Sequence, residues 1–362
     1  MNNGSIAIVT ATDRGYLPAA CCQLKSTWDN LAKPQTISLH LIVCDVSPDD
    51  IDEAKRYFAL RNMNVNIIHP LNVIERIQPL STRWPRAAYL RLYFDSLFPD
   101  DIDRLIYFDA DTRVKSPLEP LLTVPLFDAP VGAVHDFIYY VTGNIRRRRR
   151  DLFLADDAPY LQSGVMVFDW PKTLASRGIA KAREFLAKYP ERCHEAPDQD
   201  ALNAAFEGQW TPLDPRWNLH ETYLMFGGTL KPYLEHYTST KPWSRRRPAA
   251  WRDAANWYQD ELADTRWNGF IPAQSSADIL KAKLTFLKFR YAPKVRDVLA
   301  QYAPLLLDAI GKDRERSDNY ELPWAPRSRA DVEEMAKALI NEAARLCPRL
   351  LPPEAVLGDR AP

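Results

Sequence analysis

Glycine, cysteine and long apolar runs are all scarce in this chain of 362 residues, and each scarcity excludes a class of protein. The 12 glycines nowhere form the glycine-rich phosphate loop, completed by a lysine, of P-loop nucleotide-binding proteins. The five cysteines are odd in number and include no Cys-x-x-Cys pair, which argues against a disulfide framework or a zinc site. No apolar stretch approaches the roughly 18 residues of a membrane-spanning helix. These absences favour a globular protein of a reducing compartment.

Net charge is absent as well, because 47 Lys and Arg residues balance 47 Asp and Glu residues. Without a positive field over the whole chain, we expect no nucleic-acid partner. Residues 1–5 lead directly into a strand-like run, with no basic stretch before an apolar core, so we expect no signal peptide. Together with the cysteine usage, this predicts a cytoplasmic protein.

Strand-like and helix-like segments alternate through the first two thirds of the chain. Apolar runs rich in β-branched residues predict strands at 6–12, 38–46, 65–68, 105–108, 132–134 and 164–168. Between them, Ser47 and Pro48 are typical of a helix start, and a further helix is expected over 85–97. The alternation predicts an α/β fold with a mixed, mostly parallel sheet joined by right-handed crossovers.

The character of the chain changes after residue 270. Basic residues interleave with Phe and Leu over 281–290, and apolar residues recur at helical spacing from 332 to 346. We therefore expect a main α/β domain at 1–270 and a C-terminal helical region at 271–362.

Acidic side chains follow several of the predicted strands. Asp13, Asp45, Asp109 and Asp111 all come at carboxyl ends, where open α/β sheets bind their ligands. Two carboxylates flanking the small Ala110 can both reach a hard divalent cation, which then completes its coordination with substrate phosphates. A solvated acidic loop is the alternative, but the buried strand before Asp109 favours a cation site that neutralises a leaving diphosphate.

Further motifs follow this triplet and precede it in a fixed order. They are Ile8 to Asp13 with Tyr16, Tyr89-Leu90-Arg91-Leu92, Leu105 to Asp111, Leu161-Gln162-Ser163-Gly164-Val165, Asp198-Gln199-Asp200-Ala201-Leu202-Asn203, His236-Tyr237 and Lys241-Pro242-Trp243. As an ordered set over residues 6–243, the chain resembles retaining glycosyltransferase family 8, which includes bacterial lipopolysaccharide galactosyl- and glucosyltransferases and the glycogenins.

The resemblance implies the GT-A fold and a retaining transfer of a hexose, glucose or galactose, from a UDP-sugar to a saccharide acceptor. It places the reaction in the synthesis of lipopolysaccharide or another surface glycan. It also implies a metal, usually Mn²⁺ with Mg²⁺ as the alternative, bound by Asp109, Asp111 and His236. A neutral histidine nitrogen beside two carboxylates is a reasonable set for Mn²⁺.

The donor nucleotide-sugar would be bound by residues from most of the motifs. By resemblance, Asp13 and Tyr16 hold the uracil and ribose, Arg91 contacts the donor, and Lys241 pairs with the diphosphate as a point charge. The full predicted set is Thr10, Ala11, Asp13, Tyr16, Arg91, Asp109, Ala110, Asp136, Gln162, Ser163, Gly164 and Lys241. For Asp136, an exposed loop acid is the alternative.

Asp198 and Gln199 are the predicted catalytic residues. By resemblance, Asp198 binds hydroxyls of the transferred sugar and Gln199 lies near the anomeric carbon, on the face opposite the leaving group. Double displacement would need a carboxylate nucleophile, and Gln is a poor one. A front-face route is therefore expected, in which the departing diphosphate helps to deprotonate the acceptor. An acid-decorated helix start would explain the same residues structurally, and both interpretations can hold together.

Three departures from the family pattern stand out. Gln162 occupies a position that is usually Asn, Gly15 one where Asn is common, and the segment between His236 and Lys241 is one residue short. Two alternatives stay open at this point: a non-catalytic nucleotide-sugar-binding protein on the same fold, and a nucleotidyl or phosphoryl transferase. The missing phosphate loop disfavours the second.

Basic surfaces suggest where the acceptor comes from. Arg146 to Arg150 form a run of five, which we predict as a loop near the site that is either solvated or in contact with acceptor phosphate or anionic lipid. The segment 281–290 either packs on the main domain or lies on a membrane surface. The second choice would make the acceptor a lipid-linked saccharide and the protein peripheral to the inner face of the membrane.

Overall fold

The computed structural model describes residues 5–285 except 138, 140–144, 194 and 221–229, together with the isolated positions 287, 334, 337 and 338. Within that part of the chain, no helix combines the length and hydropathy needed to span a membrane. Most of the region 271–362 lies outside the described residues. Its beginning forms a helix over 276–285, so the predicted helical region remains a prediction beyond that point.

Ten strands form two sheets. The main sheet has seven strands in the order β3-β2-β1-β4-β7-β6-β8, and the small sheet has three in the order β5-β10-β9. The strands are β1 (Ile6–Asp13), β2 (Ile37–Cys44), β3 (Val65–Ile68), β4 (Arg104–Phe108), β5 (Thr112–Val114), β6 (Val131–His135), β7 (Leu161–Asp169), β8 (Trp210–Pro212), β9 (Leu219–His220) and β10 (Leu234–His236).

The main sheet is mixed. Strands β3, β2, β1 and β4 run parallel, whereas β7 is antiparallel to both β4 and β6. Between β6 and β7 the register shifts after Ala133, so that Val134 lies opposite Gln162 and a bulge forms around Ser163 and Gly164. A bulge bends a strand and redirects its side chains, which turns this segment toward the end of β4.

Eleven α-helices are described, and they cover both faces of the main sheet. They are α1 (Leu17–Asp29), α2 (Pro48–Leu60), α3 (Leu71–Ile74), α4 (Arg86–Tyr89), α5 (Phe94–Leu97), α6 (Glu119–Leu122), α7 (Ile145–Asp151), α8 (Trp170–Ser176), α9 (Gly178–Lys188), α10 (Pro197–Ala205) and α11 (Arg252–Glu261). Short 3₁₀ turns lie at Pro34–Thr36, Leu90–Tyr93, Pro190–Arg192, Pro215–Asn218 and Ala249–Trp251.

The alternation of side chains along β1 and β4 divides the core in two. Val9 and Tyr107 face a cluster that includes residues of α4, α5, α9 and α10. Ile8 and Phe108 face the opposite cluster, which includes residues of α1, α2 and α11. Because both faces are covered, these strands are apolar throughout, as the sequence predicts.

The predicted elements are confirmed with small shifts at their ends. Ser47 caps α2 by accepting a hydrogen bond from the Asp50 amide. The helix expected over 85–97 consists of α4, a 3₁₀ turn and α5 in succession. Strand β2 ends at Cys44 because Asp45 adopts a left-handed φ of 55°, which breaks the extended backbone.

Candidate active site

The turn from β4 into β5 carries the paired aspartates, and its backbone fixes their positions. The Asp109 amide donates to the Gly164 carbonyl at 2.8 Å, and the Thr112 hydroxyl donates to the Asp109 carbonyl at 2.8 Å. Thr112 then pairs with His236 across antiparallel β5 and β10. This register brings a histidine 125 positions away in sequence, counted as 236 minus 111, beside Asp111.

The three predicted metal ligands are brought together. His236 Nε2 lies 3.5 Å from Asp109 Oδ2 and 3.3 Å from Asp111 Oδ1. One ligand atom from each residue falls within 4.8 Å of the others. A Cβ at Gly164 would lie 2.3 Å from His236 Cε1 and 2.8 Å from Asp109 Oδ2, so only glycine leaves room for this arrangement. Two carboxylates and one imidazole fit a divalent cation such as Mn²⁺.

Each aspartate has one oxygen engaged by neighbouring donors. Asp109 Oδ1 accepts from Arg91 and from the Tyr107 hydroxyl, both at 2.6 Å, which leaves Oδ2 facing His236. Asp111 Oδ2 pairs with Lys241, which leaves Oδ1 facing His236. Burial alone would raise the pKa of Asp111, but the Lys241 and His236 charges outweigh it and lower that pKa below its ordinary range.

Arg91 joins the metal side of the site to the sugar side. Its Nε lies 3.1 Å from Asp198 Oδ2, and its side chain is only 7% exposed. Burial alone would lower the pKa of Arg91, but Asp109, followed by other neighbours, raises it above its ordinary value. Burial raises the pKa of Asp198, and the Arg91 charge offsets this only in part. Ser163 completes the junction by accepting from Arg91 through its hydroxyl at 2.9 Å.

Gln199 is held at both ends of its amide. Its Oε1 accepts from the Ser163 amide at 3.0 Å, and its Nε2 donates to Asp136 Oδ2 at 2.8 Å. Asp136 is buried, so the alternative of an exposed loop acid is wrong. The next residue, Asp200, accepts from the Tyr160 hydroxyl at 2.6 Å. All these contacts follow from α10, which begins at Pro197 and presents Asp198 to Asp200 in its first turn.

The predicted loop at the arginine run is wrong, because these residues form helix α7. Arg148 is fully buried and makes an ion pair with the fully buried Asp200. Arg149 donates to the backbone carbonyls of Ala158 and Asp156, both at 2.6 Å. A helix buries one side of its surface, and an arginine on that side must find a carboxylate partner. Only part of the run is therefore free to meet a ligand.

The predicted nucleotide end of the site gathers around Tyr16. The Tyr16 amide donates to Asp13 Oδ1 at 3.1 Å, and its ring packs edge-on against Trp243 at 5.7 Å between centroids. Lys241 Nζ lies 5.7 Å from the centre of the Tyr16 ring. Thr10 and Ala11 lie buried on β1, and Ala110 is buried between the two aspartates.

Asp45 does not join the cluster, although it also follows a strand. It is paired with Arg86 at 3.3 Å, and its side chain is 55% exposed. Other residues of the site were missed by sequence reasoning: Tyr107, Arg148, Tyr160 and Asn218. No spacing could have revealed the tyrosines. Asn218 is a lone amide at the end of a 3₁₀ turn, and its contact with His236 depends on the small sheet.

A mixed α/β sheet with an acidic, cation-competent cluster beyond its central strands defines a transferase of nucleotide-activated sugars. The chain belongs to glycosyl transferase family 8, whose family model matches residues 7–247. That match spans the site from β1 to Lys241 and confirms the resemblance inferred from the motifs.

Curated relatives agree with this assignment. General stress protein A of Bacillus subtilis is 26% identical over 282 residues, covering 72% of this chain and 94% of the relative. Lipopolysaccharide 1,2-glucosyltransferase of Escherichia coli is 27% identical over 255 residues, covering 66% of this chain and 72% of the relative.

Solved structures show the same fold. The galactosyltransferase LgtC, in complex with donor and acceptor sugar analogs, superimposes with a TM-score of 0.60 at 21% identity. That likeness covers 73% of this chain and 99% of LgtC. The prediction of a retaining hexosyltransferase on the GT-A fold is thereby confirmed.

Proposed function

We propose that the protein transfers glucose or galactose from a UDP-sugar to a saccharide acceptor, with Mn²⁺ or Mg²⁺ bound by Asp109, Asp111 and His236. One observation carries the proposal: three ligand atoms converge on one point beside Gly164, with Lys241 against Asp111. When bound, such an ion would neutralise charge on the leaving diphosphate.

The side chains around the ion would divide the work of binding the donor. Asp13, Tyr16, Thr10 and Ala11 would hold the uridine at the end of β1. Lys241 would turn its charge from Asp111 toward the diphosphate, since Lys carries a mobile point charge on a flexible stem. Its present partners are Asp111 and two backbone carbonyls, all within reach of one ammonium group.

The sugar would lie above the Arg91 junction. Asp198, Asp136, Gln162 and Ser163 are the polar groups that we assign to it or to its neighbours. Gln199 would orient the reacting face, because both ends of its amide are already fixed by Ser163 and Asp136. Asp200 is unsuited to nucleophilic attack, since Arg148 and Tyr160 occupy its carboxylate.

The reaction would then proceed on one face of the sugar. The acceptor hydroxyl oxygen forms a bond to the anomeric carbon as the bond from that carbon to the diphosphate oxygen breaks. The hydroxyl proton passes to the departing diphosphate, so atoms and charge balance without a base from the protein. Under this scheme the chain positions the reactants and stabilises charge.

A lipid-linked or lipopolysaccharide acceptor is supported by the curated relatives, among which are lipopolysaccharide glucosyl- and galactosyltransferases. Exposed apolar residues on the helix over 276–285 and just beyond it also support contact with an anionic membrane from the cytoplasmic side. Ile279, Leu280, Leu284 and Leu287 are 43–56% exposed and alternate with Lys281 and Lys283.

UDP release tests the proposed function. Purified protein with UDP-glucose or UDP-galactose and a simple saccharide should release UDP when Mn²⁺ or Mg²⁺ is added, and little with a chelator. Asp111→Asn should abolish this release. Undiminished release by that variant would refute the metal assignment. Binding of UDP-sugar without release under any condition would favour a non-catalytic binder, and release of pyrophosphate would favour nucleotidyl transfer.

The membrane proposal needs its own measurement. Full-length protein should co-sediment with vesicles containing anionic lipid and not with neutral vesicles. Replacing Leu280 and Leu284 with Ser should weaken that binding. Unchanged binding after this replacement would exclude the helix over 276–285 as the contact.

A further inference from the structure

Behind His236 lies a pair of buried amides that the sequence did not single out together. Asn218, which is 4% exposed, ends the 3₁₀ turn Pro215–Asn218 immediately before β9. Its Oδ1 lies 2.7 Å from His236 Nδ1, on the ring edge away from the aspartates. Its Nδ2 donates to Gln162 Oε1, and Gln162 is itself 9% exposed.

The direction of these hydrogen bonds follows from a backbone group. The Gly164 amide can only donate, and it lies 2.8 Å from the Gln162 side chain, so the atom that it meets must be the acceptor Oε1. The Asn218 atom facing Oε1 must then be the donor, Nδ2. Its other atom, which faces His236 Nδ1, is therefore an acceptor, and Nδ1 must carry the hydrogen.

One further contact competes with this assignment. Gln162 Nε2 lies 3.2 Å from His236 Nδ1 and could donate to it if Nδ1 carried no hydrogen. That choice would set the Asn218 oxygen against a ring lone pair at 2.7 Å, which is repulsive. The shorter contact has the distance of a good hydrogen bond and decides the matter.

We infer that Asn218, oriented by Gln162, is a positioning residue that keeps the His236 proton on Nδ1 and presents Nε2 to a divalent cation held with Asp109 and Asp111. The inference rests on the proposed metal site and extends it. Metal-binding histidines commonly donate their other ring hydrogen to an acceptor, which sets the ring orientation and strengthens the ligand. Here that acceptor is a neutral amide, and a second amide anchors it.

The inference also explains Gln162, where related transferases usually have Asn. The bulge after Ala133 turns this residue toward β10, and both of its polar atoms lie against Gly164, Asn218 and His236. Asn is one methylene shorter and could not keep the same reach from the same backbone. Gln162 thus acts toward His236 rather than toward the substrate.

The test compares two substitutions of similar size. Asn218→Leu fills the space but removes the acceptor, so Mn²⁺ affinity should fall about 10–100-fold, as is usual when such a partner is lost. Asn218→Asp keeps an oxygen acceptor for Nδ1 and should stay within about threefold of the native chain. Mn²⁺ binding is followed by the paramagnetic resonance signal of the free ion, with no substrate present. Gln23→Ala, which removes a buried amide from α1, is the control and should bind normally.

A second measurement does not depend on any variant. In ¹⁵N-labelled native protein loaded with Cd²⁺, a diamagnetic substitute, the protected ring hydrogen of His236 should correlate with Nδ1. A hydrogen on Nε2, or native Mn²⁺ affinity in Asn218→Leu, would overturn the inference. If neither native protein nor Asp111→Asn binds Mn²⁺, the proposed metal site itself fails. If the native protein binds and Asp111→Asn does not, while Asn218→Leu binds normally, only the inference fails.

Discussion

Two groups of aspartates lie on either side of Arg91, and they differ in what surrounds them. On the metal side, Asp109 and Asp111 are 20% and 13% exposed, and each keeps one oxygen turned toward His236. On the sugar side, Asp198 and Asp200 are buried, and Asp200 is occupied by Arg148 and Tyr160. Both groups come from acidic triplets in the sequence, yet only the first retains free ligand atoms that converge.

The difference teaches that the number of donors around a carboxylate decides its role. A carboxylate offers about four lone-pair sites, and the ones not used by the protein are available to a ligand. Asp109 uses one oxygen for Arg91 and Tyr107 and leaves the other. Asp200 shares its charge with a guanidinium that is itself fully buried, so its role is structural.

Removing a ligand on the metal side should have the largest effect on activity. Asp109→Asn should reduce kcat by at least about three orders of magnitude, because several kcal/mol of charge stabilisation depend on the ion and each 1.4 kcal/mol is tenfold. Arg91 keeps Asp198 as its partner, so the variant should remain folded by circular dichroism. Chelation of the native protein should have the same effect on kcat. Activity above one tenth of native would contradict the metal role of Asp109.

On the sugar side, the corresponding effect should appear in stability. Arg148→Met leaves Asp200 buried without its ion-pair partner, which should cost about 3–5 kcal/mol in the free energy of unfolding. Arg146→Met, two residues earlier on the same helix but exposed, should change it by less than about 0.5 kcal/mol. Chemical denaturation measures both. Equal stability of the two variants would mean that the buried pair contributes little.

The arginine run also marks the limit of what the sequence could predict. Strands β1, β2 and β4 and the positions of Asp109 and Asp111 follow from apolar periodicity and strand ends. The depth of Arg148 does not, because five identical letters hide which one faces the core. Likewise, Asn218 gains its role only from the pairing of β5, β10 and β9, a contact between distant segments. Local pattern predicts elements, whereas partners across the fold depend on tertiary packing.

Between these extremes, a single hydroxyl connects Asp200 to Gln199. Tyr160 donates to Asp200 at 2.6 Å and lies 3.3 Å from Gln199 Nε2, so Tyr160→Phe should lower the free energy of unfolding by about 1–3 kcal/mol. We also expect a several-fold fall in kcat, since Gln199 loses one of its contacts. Tyr258→Phe is the matched control, because the buried Tyr258 hydroxyl has no hydrogen-bond partner among the described residues. If both variants have the same stability, the hydroxyl of Tyr160 is not a structural link.

The smallest expected effect concerns a buried ring that lies away from both groups. Burial lowers the pKa of His40, on β2, from 6.5 to about 4. Unfolded His40 therefore binds a proton between pH 6.5 and 4 where the folded ring does not, so the free energy of unfolding falls as pH falls through this window. We expect a loss on the order of 1–2 kcal/mol from this residue, below the full linkage value because the ring is only partly buried. His40→Gln removes the titration, so the variant should lose less stability than the native protein between pH 6.5 and 4 in urea denaturation. Identical pH slopes would show that His40 is protonated as easily in the folded chain as in the unfolded one.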